Sequence, residues 1–455
     1  VVLKSINPAN MKLIGETEEL DTNAIEAKLS QAQATFDTWK LTNFATRSKL
    51  LLQLASTLRS NKDQYASIMT SEVGKTLTAS LAEIEKCATC CEFYATNAET
   101  FLSPEQIATD ATESFVRFDP IGVVLAVMPW NFPFWQVIRF AAPAIMAGNV
   151  GLLKHASNVQ LSAQALEDAF AEAGLPAGVF LNLAISSAKV EAVIRDPRVK
   201  AVTLTGSEHA GSQVAKVAGE EIKKTVLELG GSDPFIVLED ADLNKAVVAA
   251  VSGRMQMNAG QSCIAAKRFI VQEAIAETFT EKLKTELDKL VVGDPTKSGT
   301  QVGPLANEQM VKDIETQVDA SVKAGARVLT GGKRGEGPGC YYLPTILTEV
   351  TKGMPVYDEE VFGPAMPIIT FKNDDQAIAI ANDSPYGLGA TIFTKDVTHA
   401  KQLATQIESG SVYINNQVKS DSRLPFGGVK KSGYGRELSG FGIREFVNIK
   451  TVWIA

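Results

Sequence analysis

Hydrophobic and polar positions alternate along the chain in three successive rhythms. Between Asp21 and Lys40, the residues Ile25, Leu29, Ala32, Phe36 and Trp39 recur every three or four positions. That is the stripe of an amphipathic helix, and Asp21 stands where a helix N-cap belongs. Two longer helical stretches follow, about 45–71 and 75–100. From about residue 121 the rhythm changes. "GVVLAVM", "NVGLLK", "VFLNLA" and "VKAVTLTGS" are short, almost wholly apolar runs separated by helical stretches near 160–173, from 186 and near 209–219. Strands buried on both faces that alternate with helices predict a parallel, doubly wound sheet. A second series starts at "DPFIVLED". It continues through a helix from 243, "RFIV", a helix from 274, "ARVLTGG", "PAMPIITF", a helix near 374–382, "LGATIFT", a helix from 398 and "GSVYINN".

The expected fold is therefore α/β with two doubly wound parallel-sheet units, divided near "ELGGSDP". "ESFVRFDP" and the tail "FVNIKTVWIA" belong to neither series and could pair with each other or with another subunit. No fixed-period repeat or low-complexity segment interrupts the pattern. The most apolar region, Ile121 to Gly148, has the length of a membrane span. Pro129, Asn131, Pro133 and Arg139 within it instead predict a buried strand, a sharp loop and a helix.

Composition changes this picture only slightly. A chain of 455 residues exceeds one core, so two or three domains are expected. Hydrophobic residues make up 45% and charged residues 21%, with a net charge of −8 and a pI near 5.3. No excess of Lys and Arg awaits phosphates, which argues against a nucleic-acid partner. The five cysteines are odd in number and sparse, so a reducing, cytoplasmic location is expected and a disulfide framework is not. "KCATCC" lacks the further ligands that a metal site needs, and no metal is expected. "VVLKSINPAN" has no apolar run of signal-peptide length.

Several residues could carry chemistry, and each has an ordinary alternative. In "NAGQSCIAAKR", Cys263 is either a buried thiol or a nucleophile held between small residues. In "MPWNFPFW", Asn131 sits in a loop stiffened by two prolines and offers a rigid amide donor, or is a turn residue. Glu228 ends an apolar run before Leu229, where burial would raise its pKa toward that of a base; Glu359 and Glu360 precede "VFGP". Both carboxylate sites could equally be structural ion pairs. Gly206 and Ser207 open a helix after a strand, a place for pyrophosphate or a plain helix cap. Lys154 ends a buried strand with Ser157 three residues on, a place for ribose contacts or a solvated loop.

Taken in order, "PWNFP", "KHAS", "TGSEHAG", "ELGG", "GQSC" and "EEVFGP" resemble the aldehyde dehydrogenase superfamily, over nearly the whole chain. The resemblance implies a dinucleotide-binding domain over 1–101 and 121–230 and a catalytic domain over 231–431. It implies oligomerisation or bridging segments at 102–120 and 432–455, with a homodimer or homotetramer as the assembly. It also implies that Cys263 is the nucleophile, that Asn131 and the Cys263 N–H hold the oxyanion, and that Glu228 activates the hydrolytic water. Trp130, Lys154, His155, Ser157, Gly206, Ser207, Leu229, Glu360 and Phe362 would line the cofactor site. Many NAD-preferring members carry Glu at the position of Ser157. Its absence, with Lys154 and His155 as donors, implies NADP, with NAD less favoured.

"WNFPFWQVIRF" and "VKSDSRLPFGGVKKSGYGRE" resemble the branch acting on succinate semialdehyde. Arg139, about two helical turns past Asn131, would then take a distal carboxylate, with Ser420 beside it. Glutarate semialdehyde, a broad range of aldehydes, and a catalytically silent relative are the alternatives. Ser262 and Ile264 flank Cys263, so no adjacent cysteine is present for a local disulfide switch.

Overall fold

The protein is described over residues 1–455 by a computed structural model. Its first sheet is built from β1 (Val123–Met128), β2 (Val150–His155), β3 (Phe180–Asn182), β4 (Val199–Thr205) and β5 (Lys224–Glu228). They are parallel, in the order β5-β4-β1-β2-β3. Nearly every residue of β1, β2 and β4 is buried, because helices cover both faces. The chain winds outward in opposite directions from β1 and from β4. The crevice between their carboxyl ends is where open α/β sheets bind ligands.

The second sheet comprises β6 (Pro234–Val237), β7 (Arg268–Gln272), β8 (Arg327–Thr330), β9 (Thr345–Thr348), β10 (Ala365–Phe371), β11 (Gly389–Phe393) and β12 (Ser411–Ile414). Its order is β8-β9-β10-β7-β6-β11-β12, and only the edge strand β8 runs antiparallel to its neighbour. Both predicted α/β units are present.

Four features differ from the pattern-based expectation or extend it. The stretch 45–71 is two helices, Phe44–Ser60 and Lys62–Val73. Asn61 between them leaves the helical region, and its amide donates to Tyr65 Oη (3.2 Å) and Glu172 (2.9 Å). The break lets each half turn its own apolar face inward. An N-terminal hairpin, Val2–Asn7 with Lys12–Glu18, has mostly exposed residues and so little apolar alternation to reveal it. The two outlying strands pair antiparallel, from Val447 opposite Pro120 to Ile454 opposite Glu113. Gly433–Tyr434, expected in the same outlying tail, instead adds an antiparallel edge to the first sheet beside β5.

Candidate active site

Cys263 lies in a turn entered through strained backbone. Helix Leu243–Val251 runs into a π-helical turn, Ser252–Gln256, a form that recurs at functional sites. Ala259 (φ 48°) and Gly260 (φ 78°) then both adopt the left-handed conformation. A Cβ at Gly260 would strike the Gly363 carbonyl, so this position has no room for a side chain. Gln261 anchors the turn, accepting from Ala306 N (2.9 Å) and donating to Asn258 O (3.2 Å). The fully buried Lys267 closes it, donating to the carbonyls of Ser262 (2.8 Å) and Cys263 (2.5 Å). The Cys263 backbone N–H has no acceptor in the protein. Burial pushes the thiol up to about 11, against the opposing pull of the Lys267 and Arg139 charges.

Asn131 approaches the same turn from the loop after β1. Its side-chain amide donates to Gln261 O (3.1 Å), and its backbone carbonyl accepts from the Asn258 side-chain amide (3.0 Å). One amide N–H is engaged and the other is available. The loop feeds helix Trp135–Met146, whose first N–H groups are held by Glu83: Phe134 N at 3.0 Å and Trp135 N at 2.9 Å. Glu83 is also paired with the buried Lys75, whose ammonium lies 3.7 Å over the Phe132 ring.

Two cavities meet at Cys263. One, of about 240 Å³, is bounded by Trp130, Asn131, Gly206, Ser207, Leu229, Gly230, Glu360 and Phe362. It sits at the carboxyl ends of β1 and β4. Trp130 and Phe362 pack edge to face across it, 5.9 Å between centroids. Glu360 accepts from Gly231 N (3.0 Å) and lies 3.3 Å from Lys267, so one lysine ties it to the Cys263 turn. The other cavity, of about 160 Å³, is bounded by Lys86, Phe132, Trp135, Gln136, Arg139, Ile264, Ser420 and Phe426. Cys263 and Gln136 belong to both walls.

Not every residue expected in the site is free to act there. His155 is wholly enclosed. Its nitrogens lie 3.3 Å from Met128 O and 3.0 Å from Pro133 O, and Ala156 N donates to Nδ1. Burial drops its pKa to about 4, so it is a neutral brace for the Asn131 loop and not a cofactor donor. Arg139 reaches the cavity wall, and its guanidinium also has partners within the protein. It forms a buried ion pair with Glu437, donates to Thr205 Oγ1 (3.3 Å) and stacks 4.6 Å from the Phe426 ring centroid.

Glu228 is buried, and both its carboxylate oxygens lack hydrogen bonds. The carboxyl lies against Gly427 and on neither cavity wall. Burial, reinforced by the Glu437 charge, raises its pKa well above the usual range. Lys154 is buried at the end of β2 with no hydrogen-bond or ion-pair partner, and Ser157 is exposed beyond it. Ser207 caps helix Glu208–Glu220 through Ala210 N (3.3 Å).

Sequence patterns missed Lys86, Glu83, Gln136 and Lys267. Lys86 had one available signal: a lone lysine between Ile84 and Cys87, on the buried stripe of helix Leu77–Phe101.

A profile of the aldehyde dehydrogenase family matches residues 2–452. The chain belongs to the aldehyde dehydrogenase family. Among family relatives, it is 50% identical over 455 residues, all of both chains, to the probable succinate-semialdehyde dehydrogenase [NADP(+)] of Synechocystis. It is 50% identical over 456 residues, again all of both chains, to succinate-semialdehyde dehydrogenase [NADP(+)] 1 of Mycobacterium tuberculosis. A solved aldehyde dehydrogenase structure, the succinic semialdehyde dehydrogenase of Streptococcus pyogenes in complex with NADP+, superposes with a TM-score of 0.97. That enzyme is 39% identical, over 99% of each chain. The two-sheet fold is that of the family.

Proposed function

We propose that this protein oxidises succinate semialdehyde to succinate with NADP+ as the hydride acceptor. The observation that carries the reading is Cys263 on the shared wall of two cavities, one at the β1/β4 crevice and one small and cation-bearing. The whole-chain similarity to enzymes named for that aldehyde and NADP supports it.

The crevice fits a dinucleotide. It combines a helix N-terminus at Ser207, the Gly206 turn, aromatic walls at Trp130 and Phe362, and a carboxylate at Glu360 for ribose hydroxyls. Lys154 and Ser157 stand beyond it at the end of β2, where a lysine without a partner and an uncharged serine tolerate a 2′-phosphate. When bound, the nicotinamide supplies the acceptor for the aldehyde hydride. The first sheet and its helices thus form the cofactor-binding domain, and the second supplies the nucleophile.

The chain's own residues do the remaining work. The Cys263 sulfur, as thiolate, attacks the aldehyde carbon, and the C=O π bond becomes an oxyanion. The free Asn131 amide N–H and the free Cys263 backbone N–H hold that oxyanion. After oxidation the acyl group remains on Cys263 as a thioester, and Glu228 removes a proton from the water that hydrolyses it. Its carboxyl must turn from Gly427 toward Cys263 and lose its proton to do so. The hydrolysis rate therefore rises with pH. The acidic composition and free thiols suit a cytoplasmic enzyme. The exposed Ile449, Trp453 and Ile454 on the outlying strands suit assembly into a dimer or tetramer.

Initial rates with both cofactors test this reading. Succinate semialdehyde with NADP+ should give the highest catalytic efficiency, and Ser157→Glu should shift preference toward NAD+. A wild-type preference for NAD+, or no gain on that substitution, would contradict the cofactor assignment.

A further inference from the structure

We propose that Lys267 is a positioning residue for the reaction at Cys263: its ammonium aims the backbone N–H that receives the oxyanion and fixes Glu360 relative to the sulfur. The inference rests on the thioester reading above and adds a residue to it. Lys267 stands just before β7, wholly buried, and its backbone N–H donates to Asp233 O (3.0 Å). An ammonium carries three donors. Three oxygens surround this one: Ser262 O at 2.8 Å, Cys263 O at 2.5 Å and the Glu360 carboxylate at 3.3 Å.

The Ser262 carbonyl has a particular consequence. It belongs to the same peptide unit as the Cys263 N–H. A trans peptide is planar, and its C=O and N–H point in opposite directions. A cation holding the oxygen therefore turns the N–H away from itself, and that N–H is the one without an acceptor in the protein. The charge also polarises the peptide unit, which makes the N–H a stronger donor. A donor fixed in this way needs no reorganisation as charge develops on the aldehyde oxygen.

The same ammonium reaches across to the cofactor crevice. Glu360 opens a loop that runs to Gly363 and packs on the Cys263 turn at Gly260. The buried Arg254 reinforces this contact, donating to Val361 O (2.7 Å) and lying against Gly260. Gln317 donates to Glu360 O (3.2 Å) from helix Glu308–Lys323. These contacts fix the loop backbone, whereas Lys267 and Gly231 N (3.0 Å) fix the Glu360 carboxylate. The thiol feels the same group. Burial raises the Cys263 pKa; the Lys267 charge is the strongest pull against it, ahead of Arg139, while Glu360 and Asp233 push in the same sense as burial. Loss of Lys267 should then raise the thiol pKa, and loss of Glu360 should lower it.

The test compares wild type, Lys267→Met, Lys267→Arg and Glu360→Gln. With saturating NADP+, Lys267→Met should lower kcat by about 10- to 100-fold, short of the loss of an oxyanion donor itself. The factor should be the same for succinate semialdehyde and butanal, because the damage lies at the reacting carbonyl. In the cofactor-free protein, iodoacetamide alkylation of the Cys263 peptide is followed against pH by mass spectrometry. The profile should move up by about one unit in Lys267→Met and should move down in Glu360→Gln. Lys267→Arg keeps the charge and should hold the wild-type profile while recovering part of the rate. A lysine that only supported the turn would not produce shifts of opposite sign. An unmoved profile or an unchanged kcat in Lys267→Met would overturn the assignment, as would a Lys267→Arg profile displaced as far as that of Lys267→Met. Should Lys267→Met not fold, Glu360→Gln decides alone: a profile that does not move down overturns it. A wild type that oxidises neither aldehyde would instead remove the reading on which the assignment rests.

Discussion

A buried residue's environment decides whether its chemistry is available, and neighbouring letters in a sequence do not report that environment. Lys154 and His155 are adjacent on β2, yet one has no partner and the other is fully spent inside the core. His155 also makes the fold acid-sensitive. Its proton affinity falls from 6.5 in the open chain to about 4 in the fold. The unfolded state therefore binds more protons across that window, and stability falls as the pH drops through it. The shift corresponds to about 3 kcal/mol, fully lost below pH 4. His155→Gln should flatten the slope of unfolding free energy between pH 6.5 and 4, as measured by urea titration; an unchanged slope would show that the ring is not the cause. Asn131, Glu228 and Cys263 stand out in sequence because their local motifs are distinctive. The contacts of Lys86 and Arg139 with Ser420 and Glu437 span roughly three hundred residues of chain, which no local pattern connects. Loss of one oxyanion donor by Asn131→Ala should lower kcat by about 10²–10³-fold with little change in NADP+ affinity.

At the scale of elements, the apolar strands were legible because β1, β2 and β4 are buried on both faces and so carry unbroken hydrophobic runs. The N-terminal hairpin and β9 escaped notice: the first is mostly exposed, and the second is only four residues long. The break at Asn61 was hidden because both helices continue a similar spacing. Helix Trp135–Met146 shows how one buried charge organises several functional groups. Glu83 fixes its start, and the helix then places Gln136 on both cavity walls and Arg139 at the base. Removing that charge leaves Lys75 buried without a counterion. Glu83→Gln should cost about 3–5 kcal/mol in urea-induced unfolding, read from a lower midpoint. A loss below about 1 kcal/mol would mean that the pair does not organise this region.

The whole molecule brings two sheets together so that one sulfur closes both cavities. β1 and β4 supply the crevice, and the turn before β7 supplies Cys263. Neither sheet holds a complete site. The Lys267 contacts to the Cys263 carbonyl and to Glu360 couple the two halves. The motif order made this organisation legible from sequence, whereas the separation of the two cavities needed the packed structure. The central claim is that the acyl group is carried on Cys263 between the two cavities and released by Glu228. Mass spectrometry of Glu228→Gln after mixing with succinate semialdehyde and NADP+ tests it most directly. The predicted result is a mass gain equal to one succinyl group on the peptide bearing Cys263, accumulating with a single burst of NADPH. No adduct, or an adduct on Cys87, Cys90, Cys91 or Cys340 instead, would contradict it.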